Sequence, residues 1–111
     1  MESKLAVTAL GALAHETRLE VFRLLVRAGN EGLAVGRIAE GLGIEANGRL
    51  TFHLKELVAA GLATSRQEGR FVYYSTNYAA MNELLRYLTE DCCGGLGCEV
   101  AVATCSPEKC T

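Results

Sequence analysis

The apolar positions divide the chain into five stretches at helical spacing and two at strand spacing. Residues Leu5–Leu13 are apolar with little polar relief, the composition of a helix buried in a subunit interface or beneath other helices. A second helix is predicted over Thr17–Ala28. Thr17 and Glu20 have the spacing of a capping box, Leu19, Phe22, Leu25 and Val26 fall on one face, and Gly29 supplies a left-handed residue to end it. After a Gly/Asn loop, Val35, Ile38, Ala39 and Leu42 mark a short third helix closed by Gly43, with Ile44 placed to pack back on it. The fourth begins at Asn47, a good N-cap, and carries Leu50, Leu54, Leu57 and Val58 before Gly61 and Leu62. Leu62–Ser65 and Phe71–Ser75 read as short strands around Gln67-Glu68-Gly69-Arg70, a hairpin with glycine in its turn. Tyr78, Met81, Leu84, Leu85 and Leu88 then outline a last amphipathic helix over Asn77–Asp91.

Two short helices joined by a tight glycine turn and followed by a hairpin with basic residues near its tip make a winged helix-turn-helix. The expected fold is therefore mainly α with a small β-hairpin, in the order ααααββα. In such a unit the second short helix enters the major groove of DNA. Leu50, Leu54 and Leu57 must hold it against the core, which leaves Asn47, Arg49, Thr51 and His53 for bases or phosphates and Lys55 for the backbone. Arg66 and Arg70 flank the hairpin turn, where a wing meets phosphate or the minor groove. The alternative for these residues is the solvated face of a protein-interaction module. His53 on its own, a lone histidine beside a leucine core, is more often a hydrogen-bonded structural residue.

The formal net charge of −2 runs against a DNA partner until it is divided along the chain. Residues 1–46 carry five Lys/Arg against six acids, residues 47–76 carry four (Arg49, Lys55, Arg66, Arg70) against two, and residues 77–111 carry two against five. A duplex responds to the local field, so the basic middle third can bind phosphate under a slightly acidic total.

With 111 residues, 50% of them apolar and 22% charged, the chain fits one globular domain and neither a disordered nor a fibrous class. The apolar run Leu5–Ala14 after Lys4 invites comparison with a secretory signal. It flows into His15–Ala28 without a cleavage-like polar break, however, and no stretch reaches transmembrane length. All five cysteines lie in the last twenty residues, which is no disulfide scaffold; reduced thiols in a cytoplasm fit better. Neither histidine has a plausible catalytic partner set, and no phosphate loop or carboxylate pair is present, so an enzyme is not expected.

Three segments carry a family resemblance: Leu10-Gly-Ala-Leu-Ala-His-Glu-Thr-Arg-Leu-Glu-Val-Phe-Arg-Leu-Leu, Leu50-Thr-Phe-His-Leu-Lys-Glu-Leu-Val-Ala-Ala-Gly-Leu, and the wing Arg66-Gln-Glu-Gly-Arg-Phe-Val-Tyr-Tyr. Together they resemble the ArsR/SmtB family of metal-responsive repressors over about residues 5–90, although Glu45–Arg49 is one residue longer than the family's usual turn. The resemblance implies a homodimer that pairs through its first and last helices, binds an inverted-repeat operator, and loses DNA affinity when it binds metal. A dimer is also expected because the apolar faces of the first and last helices exceed what a monomer of this length could cover.

Family members hold metal in different places, and two of those places lack ligands here. Leu33–Ile38 contains no cysteine for a Cys-x-Cys pair, and Asn77–Asp91 contains no histidine for a nitrogen/oxygen zinc site. What remains is Cys92-Cys93-Gly94-Gly95-Leu96-Gly97-Cys98, which marks residues 92–111 as a sensing tail attached to a DNA-binding and dimerisation domain over 1–91. Three thiols in seven residues, with glycines that let the chain reverse, suit one soft ion. A three-sulfur site without a fourth ligand suits As(III) or Sb(III), whose lone pair fills the remaining position. Arsenic-responsive family members have a similar cluster after their last helix. Cadmium or lead, a methylated arsenical and thiol oxidation remain as other signals. Glu90 and Asp91, at the negative end of a helix, oppose the thiolate that a redox switch requires. Cys105 and Cys110 are optional ligands at best.

Overall fold

A computed structural model describes residues 1–91. The elements run α1 (Ser3–Leu13), α2 (Glu16–Ala28), β1 (Leu33–Ala34), α3 (Val35–Leu42), α4 (Gly48–Ala59), β2 (Ala63–Glu68), β3 (Phe71–Thr76) and α5 (Tyr78–Thr89). Five helices and the hairpin thus follow in the expected order. The core is one cluster in which Val21 and Leu25 of α2, Ile38 of α3, and Leu50, Leu54 and Leu57 of α4 are essentially inaccessible, with Leu62 and Tyr74 closing it from the hairpin side.

Local chemistry accounts for the boundaries. Gly43 and Gly61 both take positive φ after a helix. In each case the next residue's amide reaches back to a carbonyl of the last turn, Ile44 to Ala39 and Leu62 to Leu57, both at 3.0 Å. The Leu62 side chain is buried beneath its turn, whereas Ile44, expected to pack back, is exposed and only its amide closes α3. Asn47 caps α4, its Oδ1 accepting from the amides of Arg49 (3.1 Å) and Leu50 (3.2 Å); Asn77 caps α5 by accepting from Ala80.

The Thr17/Glu20 capping box does not form. Helix α2 starts one residue earlier, with His15 at the N-cap and no side-chain cap bond, and Leu19 lies exposed. Helix α5 ends at Thr89, two residues short of expectation, and Asp91 takes φ 56°.

The sheet is three-stranded and antiparallel in the order β1-β3-β2, so a strand not anticipated from sequence pairs with the wing: Leu33 opposite Tyr74 and Ala34 opposite Tyr73. Because α3 starts at the next residue, β1 ties the helix-turn-helix to the hairpin. Gly32 makes that approach possible, having φ 73° and lying where a Cβ would collide with the carbonyl of Tyr74. The hairpin itself is longer than expected, pairing continuously from Ala63–Thr76 to Glu68–Phe71, so its turn is only Gly69-Arg70. Positive φ at the glycine alone is the pattern of a II′ turn. Among the described residues no helix is long and apolar enough to cross a membrane.

Candidate nucleic-acid interface

Helix α4 sorts its side chains by face. Leu50, Leu54 and Leu57 are buried, while Arg49, Phe52 and Lys55 are exposed and Thr51 is half-buried at the margin. Of the residues that the sequence assigned to DNA, Arg49 and Lys55 stand in solvent with no ion-pair partner among the described residues. Thr51 lies beside them, its hydroxyl 3.4 Å from the carbonyl of Asn47. Asn47 is exposed, but its carboxamide oxygen is committed to the helix N-terminus, which leaves its NH2 group as the donor for a ligand.

His53 departs from the expected face. It is only 5% exposed, and its Nδ1 accepts from Arg18 Nε at 3.3 Å, so the ring fills the boundary between α4 and α2. Burial lowers its pKa from the usual 6.5, with the nearby His15, Arg18 and Arg49 adding to the effect and Glu56 opposing it. The same Arg18 donates from Nη1 to the carbonyl of Ala12 at the end of α1, at 3.3 Å. One guanidinium thus joins the ends of α1 and α2 to the middle of α4. Above this joint the His15 and His53 rings lie 4.6 Å apart, and the Phe52 ring lies 5.9 Å from both the His53 centroid and the Arg18 guanidinium carbon. Neither Arg18 nor Phe52 stands out in the sequence, because Arg18 lies on a different helix and Phe52 carries no hydrogen-bonding group.

In the wing, Arg70 occupies the turn and is exposed. Arg66 lies three residues further from the tip than the turn, within β2. Its Nε is 3.0 Å from Glu68 Oε1, and its guanidinium sits 5.0 Å from the centroid of the Tyr73 ring on the facing strand. Both members of that pair are well exposed, so the bond is weak and screened. It nevertheless offsets part of the charge Arg66 would present. Among the described residues no group of three or more His, Cys, Asp or Glu could hold a metal ion. The expected ligands Cys92, Cys93 and Cys98, with Cys105 and Cys110, lie outside the described residues.

A family model described as a helix-turn-helix domain matches residues 13–66, from the end of α1 into β2. The chain is 30% identical over 89 residues to the nodulation protein NolR of Rhizobium meliloti, an alignment covering 80% of this chain and 70% of that protein. Among solved structures, an ArsR-like transcriptional regulator from Rhodococcus sp. RHA1 superposes with a TM-score of 0.67 at 29% identity, over 77% of this chain and 76% of that one. The chain belongs to the ArsR/SmtB family. It is a winged-helix transcriptional regulator and not an enzyme. A further solved structure, described as a possible transcriptional regulator for arsenical resistance, is 30% identical with a TM-score of 0.60, over 75% of this chain and 81% of that one. Reduced HlyU from Vibrio cholerae is 32% identical with a TM-score of 0.61, over 78% and 90%. The fold is also that of a homodimeric winged-helix domain from Mycobacterium bovis, at 21% identity and a TM-score of 0.63.

Proposed function

We propose that this regulator is a cytoplasmic repressor that binds an inverted-repeat operator as an apo homodimer and leaves it when As(III) or Sb(III) binds Cys92, Cys93 and Cys98. The observation that carries the sensing half is three thiols within seven residues, starting three positions after the end of α5. Arsenite, As(OH)3, exchanges its three hydroxides for three thiol sulfurs, each leaving with the thiol proton as water, so Glu90 and Asp91 handicap it less than they handicap a free reactive thiol. Likeness to a possible regulator of arsenical resistance supports the same signal.

The DNA-binding half is supported by the exposed, unpaired Arg49 and Lys55 on α4 and by Arg70 in the wing turn. Dimerisation is supported by Leu5, Val7 and Leu10 of α1 and Leu88 of α5, all large apolar side chains left in solvent. Closing three sulfurs on one ion would draw the chain after Asp91 back on itself, turn the dimer helices, and take the two α4 helices off the spacing of successive major grooves. Emptying an operator from 99% to 1% occupancy requires the ion to favour the released state by about 5.5 kcal/mol.

The test is an operator titration run in parallel with arsenite, cadmium, zinc and peroxide. Serine at Cys92, Cys93 or Cys98 is expected to leave operator affinity intact and abolish release by arsenite, while serine at Cys105 or Cys110 changes little. Release of the triple serine variant by arsenite overturns the site. Release of wild type by peroxide but not by arsenite replaces the metalloid with thiol oxidation.

A further inference from the structure

Phe52 is the one large apolar side chain on the outward face of α4, and 54% of it is exposed. At 100° per residue it points directly away from Leu50, Leu54 and Leu57, in line with Gly48, Lys55 and Ala59. Gly48, one turn earlier, brings no side chain, and a Cβ built there would meet open space, so nothing shields the ring on that side. The ring does not hang free, because the His53 ring and the Arg18 guanidinium stand behind it, and those groups are bonded to each other. Arg49 and Lys55, without ion-pair partners among the described residues, lie on either side of it.

A supported aromatic surface between two cations fits a partner with an apolar spot set among negative charges. The major groove has such a spot in the C5-methyl of thymine, the one apolar group on a base edge, with phosphates along both rims. Resting on the DNA-binding role proposed above, we propose that Phe52 packs on a thymine methyl in each operator half-site and thereby specifies thymine at that position.

The test begins with duplexes selected from a random library by the full-length chain. Each thymine of the selected site is then replaced by uracil, which removes only the methyl. Wild type is expected to lose about fourfold in affinity at one thymine per half-site, the worth of one buried methyl. Phe52→Ala is expected to bind the thymine and uracil duplexes equally there, while Thr51→Ser, which lacks that residue's own methyl, still discriminates. Phe52→Leu keeps an apolar side chain and part of the discrimination, and it serves in place of Phe52→Ala if the latter folds poorly. Uracil without effect on wild type at every position, or a methyl effect that survives Phe52→Ala, overturns the assignment while leaving DNA binding in place. Failure of the chain to enrich any duplex overturns the DNA-binding role itself.

Discussion

Helices α1 and α4 are of nearly equal length, eleven and twelve residues, yet they bury opposite kinds of side chain. Helix α4 puts its leucines inside and its cations outside, as a helix on the surface of a monomer does. Helix α1 buries Ala6, Ala9 and Ala12 and leaves Leu5, Val7 and Leu10 in water. Small residues facing the chain's own core let α1 lie close to it, while the larger apolar groups stand outside, the face that the proposed dimer would cover. The outward face of α4 calls for a partner carrying negative charge. Amphipathicity alone therefore does not identify a docking face; what identifies it is which class of side chain the fold leaves outside.

The contrast can be broken most severely from within. Leu54→Ala, at a fully buried position, is expected to cost roughly 2–5 kcal/mol of stability in urea unfolding. A cost below about 1 kcal/mol would mean that α4 is not held by its leucines.

Next in size, Val7→Asp with Leu10→Asp should leave the fold intact by circular dichroism and convert the dimer to monomer in light scattering. Each lost apolar contact is worth up to about 1.5–3 kcal/mol. A double variant that remains dimeric removes α1 from the interface.

On α4, Arg49→Ala or Thr51→Ala should weaken binding to the selected duplex by roughly 1–3 kcal/mol each without unfolding the chain. Arg70→Ala should instead weaken all duplexes alike and reduce the salt slope by about one. The same change at Arg66 is expected to do less, because its charge is already shared with Glu68. Full affinity in all four variants would remove the winged-helix contact surface.

The smallest effect is pH-dependent. The folded-state pKa of His53 is lowered, so on acidification the unfolded chain takes up the proton first. Its contribution to stability is complete above pH 6.5 and is lost as pH falls through 6.5 toward the folded value, by at most about 1.4 kcal/mol per pH unit. Urea midpoints from pH 8 to 5.5 should show this decline in wild type and a flatter one in His53→Gln; parallel declines would assign the acid sensitivity to other groups.

Most of the architecture was legible because its signals are local. Asn47 and the glycines at 29, 43 and 61 delimit helices through caps that depend on a few neighbouring residues. The features missed are those decided at a distance. Leu33-Ala34 becomes a strand only because β3 lies alongside it, and Arg66-Gln67-Glu68, polar enough to read as a turn, is extended by continuous cross-strand pairing. His53 sits at the edge of the leucine stripe, where helical spacing permits either face; Arg18, 35 residues away, decides it. At the candidate interface, Arg49, Thr51, Lys55 and Arg70 were legible as donors on a predicted outer surface. Phe52 was not, because its position opposite the leucines matters only once the ring is seen to be exposed and supported. Cys92, Cys93 and Cys98 are legible as a spacing alone.

The hairpin separates reach from folding. Burial on β2 stops at Ala63 and on β3 at Tyr74, so everything toward Gly69-Arg70 projects past the core as an arm. Adding one residue to each strand would advance the tip by about 3.3 Å, close to the 3.4 Å rise of one nucleotide step, and would turn its side chains to the opposite face of the sheet. Adding two restores the face and advances it by about two steps. Paired insertions at the tip would therefore lengthen the arm and keep its facing while the core that carries α4 stays as it is.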